Sequence, residues 1–157
     1  MRGGPGVPPS RRAALIVPLA VVALGGCGGG TNTLSMRALR SQAAYLCSNA
    51  NRLTQQITTP ASPEAGGAFL QHGVSILGPE LTALRGLRPP SNVADVYSTA
   101  VTAMTQEVSL LKHVSGRLGA GADPAIEIKG LQQRLEPLEN QADGAWQALQ
   151  VPACLSQ

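Results

Sequence analysis

The 157-residue sequence predicts an all-α domain, a single four-helix bundle in antiparallel, up-down-up-down order. Three observations predict it. Apolar residues recur at alternating spacings of three and four through four segments of similar length, the period of a helix with one buried face. Proline- and glycine-rich punctuation separates those segments. No window alternates apolar and polar residues between hairpin turns, as a half-buried strand would. Short connections between helices of similar length then favour antiparallel neighbours.

The first segment, beginning at Leu34, carries the stripe Leu39, Ala43, Leu46, Ala50, Leu53 and Ile57 and stops at Thr58–Pro63 (TTPASP). The second opens at Pro63 and Glu64, proline and an acid both being favoured in a first helical turn. Its stripe is Leu70, Val74, Leu77, Leu81 and Leu84. Arg88–Asn92 (RPPSN) ends it, because each proline disfavours helix in the residue before it, and Ser91 is placed to cap the next helix. The third runs from about Asn92 to Leu118 on Tyr97, Val101, Met104, Val108, Leu111, Ser115 and Leu118. Gly119–Pro124 (GAGADP) supplies a glycine stop, an Asp123 cap and a proline at the first helical position. The fourth buries Ile128, Leu131, Leu135, Leu138, Ala142, Ala145 and Leu149.

Two prolines interrupt this pattern, Pro79 in the second segment and Pro137 in the fourth. Each removes one backbone hydrogen bond and crowds the carbonyl four residues earlier, at Ser75 and Gln133, a perturbation of ~3 kcal/mol or more. Apolar spacing continues on both sides, so the expectation is two kinked helices with their bends near mid-height. Simple curvature is one consequence. A waist where freed carbonyls line a small cavity is the other.

Residues 1–26 read as a targeting segment. Arg2, Arg11 and Arg12 form a basic region, and Ala13–Leu24 an apolar run broken by Pro18. That run is too short for the roughly 20 residues a membrane-spanning helix needs. It ends in LGGC, Leu24–Cys27, followed by GGGTNT.

This order resembles the lipobox of bacterial prolipoproteins, with Leu24 at the apolar position and Gly25 and Gly26 at the small ones. The resemblance covers the first thirty residues or so and implies cleavage before Cys27 and attachment of a diacylglycerol to its thiol. It also implies palmitate-type acylation of the new amino group. Two or three acyl chains give the multiple anchoring that stable membrane attachment requires. The expected location is therefore outside the cytoplasm, lipid-anchored to the cell membrane or an outer membrane. Ser10–Leu15 (SRRAAL) also looks like part of a twin-arginine export signal, although a plain basic region accounts for it as well. Residues 27–33 then form the lipidated cysteine and a tether of ~13 Å r.m.s. reach, and residues 34–157 the bundle.

Removal of the leader abolishes the net charge. The formal +3 of the chain resides in the three leader arginines, and the remainder carries nine basic and nine acidic side chains. A nucleic-acid partner is thus not expected. Residues 27–90 have five arginines against Glu64 and Glu80, while residues 91–157 have four basic groups against seven acids. The halves are +3 and −3, which favours their docking on each other.

Cys47 and Cys154 remain, and an even pair in an exported domain reads as a disulfide. Free thiols or a metal pair are the alternatives, and neither has supporting residues nearby. The bridge closes a loop of about 106 residues, worth ~4.7 kcal/mol in the loop-entropy description. Cys154 follows the fourth helix at the end where the first begins, yet Cys47 lies ~20 Å along the first helix. Projection of residues 34–42 beyond the bundle would reconcile the two, bringing Arg37 and Arg40 near anionic headgroups. A tail folded back after Pro152 is the other solution.

Chemistry-bearing motifs are sparse. His72 and His113 each lie ~200° around the helix from a stripe leucine and are expected in solvent. Phe69 and Leu110 stand where a di-iron bundle would have glutamate. No cofactor and no metal site are expected. Gly66 and Gly67 have no phosphate-loop context, and Ser75 lacks the second glycine of a nucleophile elbow. Glu136, Glu139 and Asp143 make a carboxylate row read as a solvated face or as partners for arginines of the first half.

The expected role is a non-catalytic interaction or structural protein of the cell envelope, with an envelope protein as partner. The alternative is a lipoprotein that binds a small ligand at the Pro79/Pro137 waist, with Trp146, Tyr45 and Tyr97 as candidate pocket aromatics.

Overall fold

A computed structural model of the chain describes residues 33–155. Cys27, the lipobox and most of the tether lie outside the described residues. The fold is an all-α bundle of four helices, α1 Met36–Thr54, α2 Gly66–Gly86, α3 Ala94–Gly119 and α4 Pro124–Leu149, and no strand occurs among the described residues. Short 3₁₀ turns, Pro63–Ala65, Ser91–Val93 and Pro152–Cys154, precede α2, precede α3 and follow α4.

Local chemistry sets the helix ends. Ser35 caps α1, its Oγ accepting from the Ala38 N–H at 3.2 Å. Asp123 caps α4 by accepting from the Ala125 and Ile126 N–H groups, with Pro124 behind it at the first helical position. The expected Ser91 cap does not form. Ser91 instead opens the 3₁₀ turn, and Val93 precedes α3 without a side-chain cap. Pro89 and Pro90 keep the chain extended up to that turn, which delays α3 by about one tight turn.

Hydrogen bonds tie opposite ends of neighbouring helices. At one end of the α2–α3 pair the Tyr97 hydroxyl donates to the Leu84 carbonyl at 2.7 Å; at the other the Ser115 hydroxyl donates to the Gly67 carbonyl at 2.8 Å. Gly67 is needed there. A Cβ at that position would lie 3.2 Å from Leu118 Cβ and 3.3 Å from the Gly119 backbone, so glycine allows α2 to start against the end of α3. Arg117 near the end of α3 pairs with Glu127 near the start of α4 at 2.7 Å. The Leu34 N–H donates to the Arg88 carbonyl, joining the entry to α1 with the exit from α2.

Two apolar cores result. The larger contains Leu39, Leu84, Tyr97, Trp146, Leu149 and Val151, drawn from α1 to α4 and the tail. Tyr97 and Trp146 meet edge to face with centroids 5.7 Å apart, a geometry favoured by ring quadrupoles. The smaller core, around Leu70, Val114 and Leu131, draws on α2, α3 and α4 only. α1 is the shortest helix, so four-helix packing gives way to three-helix packing along the bundle.

Replacing Tyr97 with Phe tests the hydroxyl. The Leu84 carbonyl also accepts from the Leu87 N–H at 3.0 Å, so it keeps a partner when the phenol is lost. We expect destabilisation of only about 0.5–1.5 kcal/mol, read from urea midpoints. A loss above ~3 kcal/mol would overturn this account of the contact.

Cys47 and Cys154 form the expected disulfide, 107 positions apart with Cα atoms 5.0 Å from each other. The projection of residues 34–42 is corrected. Leu39 is 1% exposed and packs in the larger core. Arg40 is half-buried and donates from Nε to the Leu149 carbonyl at 2.9 Å, so it serves the C-terminus of α4 and does not project toward headgroups. The tail folds back instead. Gln150 adopts a left-handed conformation (φ 59°), the Val151 N–H bonds the Trp146 carbonyl, and buried Val151 seals the turn. The chain then lies along α1, where Asn51 Nδ2 donates to the Ala153 carbonyl at 3.1 Å.

Helices α2 and α4 each run unbroken through their proline. Both proline rings are exposed, as are Ser75 and Gln133, whose carbonyls lose their donors. The expectation that freed carbonyls from both helices line one internal waist is therefore corrected: Pro79 and Ser75 border a surface pocket against α1 beside Leu46 and Leu53, and Pro137 is exposed on α4.

Candidate functional site

A cavity of about 260 Å³ lies at mid-bundle, bordered by both the Cys47–Cys154 bridge and Thr54, the last residue of α1. It opens where α1 runs out and the larger core ends. α2 contributes Leu77 and Glu80, residues flanking Pro79. α3 contributes Met104 and Glu107. α4 contributes Glu139, Ala142 and Asp143, a few residues after Pro137. Asn51 and Leu155 complete the wall from α1 and the tail. A cavity thus exists at the height of the prolines, although neither proline lines it.

Its polar character is one-signed. Four carboxylates line the cavity and no lysine or arginine does. Glu80 is only 8% exposed, and its side chain has no hydrogen bond or ion pair among the described residues. Burial raises its pKa to about 7. Glu107 is half-buried, and its Oε1 is sealed from solvent without a hydrogen-bond partner. Burial, reinforced by the nearby charges of Glu139 and Asp143, raises it to about 7 as well. Both carboxyls therefore keep their protons to higher pH than exposed ones and are only partly ionised near neutrality. Among the described residues no three acids, histidines or cysteines converge closely enough to hold a metal ion.

The three candidate aromatics are not brought together. Trp146 and Tyr97 are buried in the larger core, Trp146 completely, whereas Tyr45 is 73% exposed on the outer face of α1. Tyr45 borders an open surface groove with Leu46, Ala83 and Leu87. The reason is angular. Tyr45 falls two positions after Ala43 and two before Cys47, which turns it away from the buried face that those residues define.

The carboxylate row is divided between two environments. Glu136 is exposed as expected, but Glu139 and Asp143 are half-buried on the cavity wall, a correction to the solvated-face expectation. The stripe running to Ala142 and Ala145 carries its neighbours at 139 and 143 inward with it. His72 and His113 are both exposed, as expected. Ser75 donates to the His72 carbonyl in an ordinary helical bond.

Glu80 and Glu107 escaped the sequence reading although a signal was present. Glu80 sits three after Leu77 and four before Leu84; Glu107 sits three after Met104 and four before Leu111. Both lie on core stripes, and neither has a basic residue three or four positions away on its own helix. No family model, curated protein or solved structure matches the chain.

Proposed function

We propose that this chain is an exported, lipid-anchored helical lipoprotein of a bacterial envelope that acts by binding and not by turnover. The observation that supports it best is the Cys47–Cys154 bridge, because disulfides persist in oxidising compartments outside the cytoplasm. The lipobox-like LGGC at Leu24–Cys27 supplies the anchor, and no helix among the described residues is long and apolar enough to cross a membrane. The up-down-up-down order and a bend at each proline belong to this reading, with the paired ends of α2 and α3 in support.

The anchor is tested by mass spectrometry of the membrane fraction. The expected N-terminus is an acylated Cys27, and Cys27→Ala is expected to release the protein or leave it unprocessed. A wild-type protein recovered wholly in the soluble fraction and starting elsewhere would remove the lipoprotein reading.

A second reading, binding of a small ligand at mid-bundle, has a specific observation in its favour. The acid-lined cavity holds Glu80 nine-tenths buried and without a side-chain partner, an arrangement rare in packing that serves stability alone. An envelope protein partner remains part of the first reading, with the bundle surface as its contact.

A further inference from the structure

We propose that the mid-bundle cavity binds a small organic dication, an alkyl diamine, with an ammonium group held by acids at each end. This inference rests on the ligand-binding reading of that cavity and names its chemistry.

The wall has the two features such a ligand requires. The first is acids on facing walls. Glu107 lies close enough to Glu139 and Asp143 for their charges to act on it, so these three form one pole on α3 and α4. Glu80 faces them from α2, and no three of the wall's acids converge on one point. The second is an apolar stretch, Leu77, Met104 and Ala142, against which a methylene chain packs.

Charge and geometry argue against other occupants. A partly open space of about 260 Å³ is large enough for a short diamine with bound water. A divalent metal would need the carboxylates to converge on one point, and they do not. An anion meets no positive side chain on the wall. A neutral diol would leave buried carboxylates uncompensated once ionised. A cation reverses that penalty, since each ammonium pairs with a carboxylate in a desolvated, charge-assisted hydrogen bond.

Binding then carries a proton signature. Near neutral pH, Glu80 and Glu107 are partly protonated in the empty protein, and an arriving ammonium favours the carboxylates, so protons pass to solvent. Glu139 and Asp143 on α4 face the same space, with Asn51 and Thr54 the polar groups opposite on α1.

The test uses the full, detergent-extracted protein and isothermal titration calorimetry with putrescine and cadaverine. Butanediol, succinate and calcium serve as comparison probes. We expect saturable diamine binding that is roughly tenfold or more weaker in Glu80→Gln and in Glu107→Gln. It should also be weaker at about pH 5 than at about pH 8, with a heat that depends on the buffer through proton release. Circular dichroism establishes that the variants are folded, and the wild-type pH series needs no variant. Butanediol binding as tightly as putrescine, or calcium displacing it, would overturn the dication class while leaving the cavity as a ligand site. No binding by any probe, with no small-molecule adduct in native mass spectra, would overturn both.

Discussion

Removing the Cys47–Cys154 bridge, through Cys47→Ala/Cys154→Ala, is expected to destabilise the bundle by about 2–5 kcal/mol. The bridge joins residues 107 positions apart, and closing a loop of ~100 residues is worth ~4.7 kcal/mol when all of the gain comes from the unfolded chain. For a domain of this size that lowers Tm by on the order of 10 °C or more. The expected loss has a second part. Cys47 is 2% exposed within the larger core, while the tail it holds carries buried Val151 and the cavity residue Leu155. Freed from the bridge, the tail keeps the packing of Val151, Ala153 and Leu155 on the larger core and hydrogen bonds such as Asn51 to Ala153. Thermal melts of the wild type with and without reductant, beside the double variant, check this. A shift below ~1 kcal/mol would mean that packing alone seats the tail.

The second large effect is a dependence of stability on pH with an unusual sign. Glu80 and Glu107 have folded-state pKa values raised from 4.5 to about 7. Between those limits the folded protein binds more protons than the unfolded chain, so stability falls as pH rises. Their contribution is fully present below about pH 4.5 and is lost as pH climbs through about 7. At ~1.4 kcal/mol per pKa unit each group accounts for at most ~3 kcal/mol, and about 1–3 where water screens it. The protein is thus expected to melt several degrees lower at about pH 8 than at about pH 5. Glu80→Gln/Glu107→Gln should raise stability at the alkaline end and flatten the profile, because glutamine never has to ionise. Urea denaturation across the pH range reads both effects. Maximum stability near pH 8, or an unchanged slope in the double variant, would contradict the assignment.

The fold was largely readable because helix periodicity, caps and breakers agree along the chain. Leu39, Leu70, Tyr97 and Leu131 occupy the buried faces their spacing predicts, and Asp123 with Pro124 starts α4 where the pattern places it. The bridge followed from cysteine arithmetic. What misled was the assumption that a polar or short segment stays outside. The tail after Gln150 contributes Val151 to the core through a left-handed turn at a non-glycine residue, for which sequence offers no dependable sign. The prolines lie at the height of the mid-bundle cavity but do not line it, since the face each occupies depends on rotation about the helix axis. Glu80 and Glu107 were passed over because charge is ordinarily assigned to solvent. Their places on apolar stripes, without basic neighbours, were the available clue.

The order in which the chain is made bears on the cavity. Contacts among α2, α3 and α4 join segments close in sequence and are the kind that form quickly. Closure between Cys47 and Cys154 has to wait for almost the last residue described. Until then α1 lacks its covalent partner, and the cavity lacks Cys154 and Leu155 from its wall. A nascent or C-terminally clipped chain can therefore hold three packed helices and still lack part of the cavity wall. The wall of the cavity is a late product of folding, completed when the two cysteines are oxidised.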